Sequence, residues 1–408
     1  MFYSNIYGTM LYTEGKTDCK PGEVDYDESR VQVLNKHLQG LINDGEIQCA
    51  SYCVSRYGKV FMHGAVGPRS CREDNSPPLA PDCITYVASI TKVFTAVAIM
   101  KLVEDGVTRL DVPVGEILPQ FNTPPFTGIT LFHLLTHTSG LYADGGCFDN
   151  KYQTNYWKMI DDAYKLCDPD KKNEFDWIAA ALGTIGNGFR VKPDTEWAYC
   201  SFGFVILGAI IEKLTGIRAH KYIEDYILKP LKMTDSGFDI TPDMAKRFII
   251  SKLNEDVLKS VDNALNNKVE THPLWDKIPP TAGGLNSTPY DLVRFGNMML
   301  SGGTLDGTRV IGRKAVEKMT TLAIHGKPDY CWKANTPDRG YGVGFDMRSG
   351  PAFTFSPGTF MHEGWGYCSL YIDPQEELAA AWFVPFTRDE WFPRAQYSVQ
   401  NVIWSGIL

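Results

Sequence analysis

An α+β (mixed α/β) fold, with a sheet assembled from the two ends of the chain and a helical region inserted between them, follows from two patterns. Strand signals cluster near the start and near the end. Val54 and Val60-Phe61-Met62 flank a Tyr57-Gly58-Lys59 turn within 48–66, and apolar runs at 367–372 and 378–385 flank a polar turn at 373–377. Between them, to about residue 250, helical periods and long loops dominate.

Taken in order, residues 1–27 carry Gly, Pro and acidic residues without a period, and are expected to form an irregular extension. Residues 28–44 place Val31, Leu34, Leu38, Leu41 and Ile42 at helical spacing, ending near Gly45. A Pro-, Ser- and charge-rich loop at 68–83 leads to Ser89. The helix after Ser89 runs to about Glu104 and stops at Gly106. Residues 203–215 form an almost wholly apolar helix closed by Gly216. Thr288 caps another, with Pro289 at its first position, Asp291 three residues after the cap, and Leu292, Phe295, Met298 and Met299 turned inward. Residues 388–404 predict a terminal helix.

The chain has 408 residues, 44% of them apolar and 22% charged, enough for a large core in a globular protein. A net charge of −8 argues against nucleic acid as a partner. No run of 18 apolar residues predicts membrane insertion. The start, Met1-Phe2-Tyr3-Ser4-Asn5, lacks a basic segment followed by an apolar one, so a cytoplasmic location is expected. Ten scattered cysteines without a C-x-x-C pair suggest buried free thiols rather than a zinc ribbon. Oligomeric state has no signature in the sequence.

The chemistry centres on Ser89-Ile90-Thr91-Lys92, the single Ser-x-x-Lys of the chain. A Ser and a Lys three apart share one helix face, and the apolar run Val93 to Met100 desolvates the amine. That pairing is one way to activate a serine nucleophile without histidine. An exposed lysine at a helix start is the plain alternative. Tyr199-Cys200-Ser201, at the mouth of the second apolar helix, supplies a candidate proton relay in Tyr199. His362-Glu363-Gly364-Trp365 precedes the strand at 367. Its glycine permits close backbone approach, and the N–H groups of Ser89 and Trp365 are candidates for an oxyanion hole. His133 and His137 are four apart, a metal-like spacing, but without Glu at 134 or a third ligand they are expected to be structural; no metal or cofactor is called for. Tyr142, Phe148, Trp157, Trp177, Trp332 and Trp365 are candidates for an aromatic pocket, each taken singly expected in the core.

Together these residues resemble the serine β-lactamase-related family, which includes class C β-lactamases, DD-peptidases of the penicillin-binding type, D-aminopeptidases and family VIII esterases. The resemblance runs from about residue 30 to 385. Ser89 to Lys92 matches the first family motif, Tyr199-Cys200-Ser201 the second (Tyr-x-Asn), and His362-Glu363-Gly364 the third (Lys-Thr-Gly, often His-x-Gly). The stretches 134–141, 283–296 and the Tyr341-Gly342-Val343-Gly344-Phe345 strand agree in order. The resemblance implies an α/β domain with an antiparallel sheet (28–90 and 285–408) and a mainly helical domain (91–284), with the site in the cleft between them. It implies catalysis by Ser89, Lys92 and Tyr199, with Ser201, His362, Gly364 and Trp365 binding a small ester, amide or peptide substrate.

Two departures narrow this. Ser201 stands where the family's Asn binds an amide. His362 replaces a cationic Lys and, at its reference pKa, is only about a quarter charged at pH 7. Both point away from β-lactams, toward an esterase-like hydrolase working through an acyl-enzyme. D-amino-acid peptidase, weak β-lactamase and acyltransferase are alternatives within the enzyme class. A non-catalytic ligand-binding protein on the same fold is the alternative outside it.

Overall fold

The computed structural model describes residues 4–5, 8–9, 11–144, 153–154, 175–184, 191–252, 255–267, 278–333, 336–348, 353–365, 367–387 and 394–408. Six strands make one antiparallel sheet. They are β1 (Tyr12–Glu14), β2 (Ala50–Arg56), β3 (Lys59–Val66), β4 (Phe360–Gly364), β5 (Cys368–Asp373) and β6 (Leu378–Phe383), in spatial order β4-β5-β6-β2-β3-β1. The helices that build the site and cover the sheet are α1 (Ser29–Asn43), α2 (Thr91–Glu104), α3 (Ser201–Thr215), α4 (Pro289–Leu300) and α5 (Arg394–Trp404).

The two ends of the chain meet where β6 pairs with β2, placing Ala379 opposite Ser55 and Trp382 opposite Tyr52. Every residue of β6 is buried, which marks a central strand covered on both faces. Its side chains alternate between two cores. Ala379, Ala381 and Phe383 join the larger one, built on α2, α3 and α4; Leu378, Ala380 and Trp382 join a second, built on α1 and α5. The alanines make room for α4. A Cβ on Gly296 would fall 2.7 Å from the Cβ of Ala379, so this glycine sets how closely helix and sheet pack. Thr288 caps α4 by accepting the Asp291 N–H at 3.1 Å. The larger core runs unbroken from Cys53 and Ala381 through Val93 and Val97 to Val205 and Ile210.

Two expectations change. The stretch up to residue 27 is not wholly irregular: β1 extends the sheet, with Thr13 opposite Ala65, and Tyr26 is buried with its hydroxyl donating to the Ile403 carbonyl at 2.9 Å. Three residues are too few to show a period, and an edge strand needs only its backbone to pair. Residues 341–345 form no regular strand: Tyr341 makes isolated bridges to Ile324 and Asp346, and Gly344 turns at φ 85° against Ala96. The expected terminal helix is present over Arg394–Trp404, and residues 388–393 of its expected span lie outside the described residues. Cys49, Cys53, Cys83, Cys200, Cys331 and Cys368 are buried free thiols, while Cys147 and Cys167 lie outside the described residues. Among the described residues no helix is long and apolar enough to cross a membrane.

Candidate active site

Ser89 lies in a short turn, Ala88–Ile90, that runs directly into α2. The turn is pinned from both sides. The Val87 N–H donates to the Leu285 carbonyl at 2.9 Å, the Leu285 N–H donates to Thr91 Oγ1 at 3.0 Å, and that hydroxyl donates back to the Ala88 carbonyl at 2.7 Å. Ala88 sits at φ 47°, a left-handed conformation costly for a residue with a Cβ and kept here by these bonds. The nucleophile candidate is thus presented by a strained, over-determined turn.

Lys92, one helical turn on, is fully buried. Its ammonium donates to Ser89 Oγ at 3.0 Å and to the Ala282 carbonyl at 2.7 Å, and lies 5.0 Å from the centre of the Tyr199 ring. Among the described residues no carboxylate forms an ion pair with it. Burial among Val93, Phe204 and their neighbours lowers its pKa to about 8, with the charge of Asp144 pulling the other way. The loop holding Ala282 is tied to both helices: Thr95 Oγ1 donates to the Thr281 carbonyl at 2.7 Å, and Thr281 Oγ1 to the Phe204 carbonyl at 2.8 Å.

Tyr199 arrives on an irregular segment whose successive N–H groups are each held from outside. Ala198 N–H donates to the His137 carbonyl (2.9 Å), Tyr199 N–H to Cys331 Sγ (3.4 Å), Cys200 N–H to His137 Nδ1 (3.0 Å) and Ser201 N–H to Asp144 Oδ1 (2.7 Å). The His137 ring, buried and at φ 57°, lies 4.5 Å from that of Tyr199. Accepting at Nδ1 fixes its proton on Nε2, and burial holds its pKa well below the usual value. Ser201 Oγ also donates to Asp144, at 2.5 Å. The Ser201 hydroxyl is therefore buried and engaged by a carboxylate, so the expected direct contact with substrate is replaced by a helix-start anchor: the acid supplies the cap that α3 lacks in Cys200. This explains why α3 begins at Ser201, two residues before the apolar run. Burial raises the Asp144 carboxyl above its ordinary pKa, against the pull of Lys92 and of the Ser201 bonds.

The facing wall is β4, the sheet's outer strand. A Cβ on Gly364 would lie 2.2 Å from the Val87 carbonyl oxygen and 3.5 Å from Ala88 Cβ. The glycine thus lets β4 lie against the backbone of the nucleophile turn itself, a closer partner than the substrate envisaged from sequence. Alternation turns His362 to the cleft and Glu363 away, where Glu363 meets Arg348 at 2.7 Å and Tyr371 Oη at 2.6 Å. His362 is buried, 6.4 Å ring to ring from Tyr199, with Nδ1 at 2.8 Å from the Glu363 carbonyl. A carbonyl only accepts, so Nδ1 carries the proton and Nε2 is left with its lone pair. Burial, then the nearby Lys92, lower its pKa to about 3. The side chain is neutral at pH 7, not a quarter charged. Trp365 follows, 60% exposed.

The structure thus brings Ser89, Lys92, Tyr199, His362 and Gly364 to one cleft, with Trp365 at its rim and Ser201 turned into the wall. Sequence reasoning missed Asp144, which lies on a two-residue strand, Ala143–Asp144, and the hold of His137 on the Tyr199 segment. His133 and His137 do not converge: His133 Nδ1 accepts the Thr130 N–H at 3.2 Å in a reciprocal helix cap. Among the described residues no three His, Cys, Asp or Glu are arranged to hold a metal ion. Of the aromatic candidates, Trp177 is core, Tyr142 is half-buried, Phe148 and Trp157 lie outside the described residues, and Trp332 is 45% exposed with its ring 5.2 Å from that of Tyr199.

A serine beside a desolvated lysine, with a tyrosine ring 5.0 Å from the amine and a strand edge opposite, can carry acyl transfer. Comparison with known proteins shows the family and the fold. The Beta-lactamase family profile matches residues 34–396. Penicillin-binding protein 4 of Amycolatopsis lactamdurans is 29% identical, over 67% of this chain and 68% of that protein. Esterase EstB of Burkholderia gladioli is 29% identical over 45% of each chain. The octameric penicillin-binding protein homologue from Pyrococcus abyssi superposes with a TM-score of 0.63 at 25% identity, covering 88% of this chain and 74% of that one. A family VIII carboxylesterase shares the fold, with a TM-score of 0.70 at 16% identity over 96% and 100% of the two chains. The Ser89–Lys92 turn and its facing strand therefore sit in a chain that belongs to the beta-lactamase family of serine hydrolases.

Proposed function

We propose that this hydrolase is an esterase that works through an acyl-enzyme on Ser89. One observation carries the reading: Lys92 is fully buried, 3.0 Å from Ser89 Oγ, and has its pKa brought down to about 8. At pH 7 about one molecule in ten then holds a neutral amine able to take the serine proton. Ser89 Oγ attacks the ester carbonyl as its proton passes to the unit of Lys92 and Tyr199. The N–H groups of Ser89 and Trp365 hold the developing oxyanion, and the same unit returns the proton to the departing alcohol. Water then attacks the acyl carbonyl, Ser89 Oγ leaves as the carboxylic acid forms, and Ser89 regains its proton.

The preference for esters over β-lactams rests on what the cleft offers. His362 is neutral and presents a lone pair, which does not attract a carboxylate. Ser201, where the family's amide-binding Asn would stand, is occupied by Asp144. The relative named Esterase EstB supports the same choice.

A fluorophosphonate probe should label the intact protein and leave Ser89→Ala unlabelled. In a panel of short p-nitrophenyl esters, nitrocefin and D-amino-acid anilides, the esters should exceed nitrocefin in kcat/KM by about a hundredfold or more. Equal labelling of both proteins sinks the catalytic reading; nitrocefin as the best substrate sinks the esterase.

A further inference from the structure

Tyr199 is half-buried and lies in no helix or strand, so its place beside Lys92 depends on individual hydrogen bonds. His137 supplies two of them. Its carbonyl accepts the Ala198 N–H at 2.9 Å and its Nδ1 accepts the Cys200 N–H at 3.0 Å, which brackets Tyr199 from the residue before and the residue after. The imidazole then lies 4.5 Å from the Tyr199 ring, with 33° between the planes. Two further bonds hold the Tyr199 main chain: its N–H donates to Cys331 Sγ at 3.4 Å, and its carbonyl accepts the Asp144 N–H at 2.9 Å. His137 therefore touches both the backbone and the side chain of the proton-relay tyrosine.

Three demands meet at position 137, and a neutral histidine satisfies them together. The backbone turns at φ 57°, a conformation that few residues with a Cβ accept. That turn is locked by the Thr138 N–H, which donates to the His133 carbonyl at 3.0 Å, and by the Thr138 carbonyl, which accepts the Asp194 N–H at 2.8 Å. The group that meets the Cys200 N–H must be an acceptor without charge, because a cation there would be buried and would face Lys92. It must also be flat, since the rings of Phe204, Tyr341 and Trp197 lie 5.1, 5.4 and 5.6 Å from it. Nε2 is buried and has no hydrogen-bond partner among the described residues. An unpaired buried nitrogen is costly, and phenylalanine would fill the same space without it. What histidine adds over phenylalanine is the bond from Nδ1 to Cys200.

Proton transfer is sensitive to placement: a displacement of about 1 Å can cost on the order of a hundredfold in rate. We propose that His137 is a positioning residue for acyl transfer, holding Tyr199 where its hydroxyl serves Ser89 and Lys92. This rests on the acyl-enzyme reading above and applies whichever carbonyl compound is cleaved.

The test compares side chains at 137 in the full chain. His137→Phe keeps a ring and removes the acceptor. His137→Asn keeps an acceptor near the place of Nδ1 and tolerates the left-handed turn. His137→Phe should lower kcat for a p-nitrophenyl ester by about a hundredfold and change KM by less than about threefold, with the rate of Ser89 labelling by a fluorophosphonate falling in step. His137→Asn should return both rates to within about tenfold of wild type. In a Tyr199→Phe background there is no hydroxyl to place, so adding His137→Phe should slow labelling by less than about threefold more. Equal losses in the two backgrounds, or an asparagine variant no better than the phenylalanine one, overturn the positioning role. His137→Gln, whose amide reaches the place of Nε2 instead, repeats the comparison if His137→Phe does not fold, and should be as slow. A wild type that takes no label sinks the acyl-enzyme reading instead. Amide hydrogen exchange over residues 198–201 then decides the hold on Tyr199: faster exchange in His137→Phe than in wild type and His137→Asn sustains it, and equal exchange in all three overturns it.

Discussion

Two basic side chains face one another across the cleft, and the same force acts on both with opposite results. Lys92 starts from 10.5, and burial brings it down to about 8, where a base is useful near neutral pH. His362 starts from 6.5, and burial brings it down to about 3, where it neither titrates nor carries charge in working conditions. Desolvation is no signature of catalysis in itself: it recruits the group that starts too high and retires the group that starts in range. On the proposed mechanism, the wall that carries Lys92 supplies the base, and the wall that carries His362 supplies shape and a neutral acceptor.

The strongest way to break this contrast is Lys92→Met, which fills the same space without the amine. It should cost about a thousandfold or more in kcat/KM. It should also stabilise the fold at pH 7, by about 1–3 kcal/mol, read by denaturant melts. The sign follows from linkage. Between pH 8 and 10.5 the unfolded chain binds more protons than the folded one, so stability climbs with pH across that window. The gain from methionine is therefore full below pH 8 and fades above it. A variant that loses activity without gaining stability would show that Lys92 is not strained by its burial.

The wild-type pH profile comes next. The kcat/KM should rise about tenfold per pH unit below a single limb near 8, with no inflection near 6.5. A limb near 6.5 that disappears in His362→Gln would return the histidine to the chemistry. Otherwise His362→Gln should change kcat/KM by less than about tenfold and leave the limb in place. Its effect belongs to stability: the unfolded histidine binds protons between pH 6.5 and 3 while the folded one does not, so the wild type loses stability as pH falls through that window and the glutamine variant loses less. The smallest effect is expected of Asp144→Asn. The carboxylate raises Lys92, so removing its charge should move the limb to lower pH with only a few-fold change in rate, the asparagine oxygen still accepting from the Ser201 N–H. A limb displaced upward would refute that coupling.

What was legible in the sequence had a local cause. α2 and α4 showed themselves through apolar runs with their stops and caps, Ser89 and Lys92 through one helical turn, and the central strands through apolar runs around polar turns. What was missed depends on partners far along the chain. Nothing near Asp144 says that it will cap a helix 57 residues on, and nothing in Tyr12–Glu14 signals a strand except the open edge of β3. The state of His362 was misjudged for the same reason, since a reference pKa takes no account of walls the sequence does not show. Gly364 was read as room for a substrate when the room was already taken by the Val87 carbonyl.

The closure of the sheet sets a condition on how this protein is made. Ser55 pairs beside Ala379, 324 residues further along, so β2 leaves the ribosome with one edge unsatisfied. At about 5–20 residues per second, that edge waits for on the order of tens of seconds before β6 is synthesised. An unpaired strand of wholly buried residues is a template for other chains throughout that interval. The sheet therefore closes late in synthesis, and keeping the open edge of β2 from other chains until β6 arrives is a condition on folding.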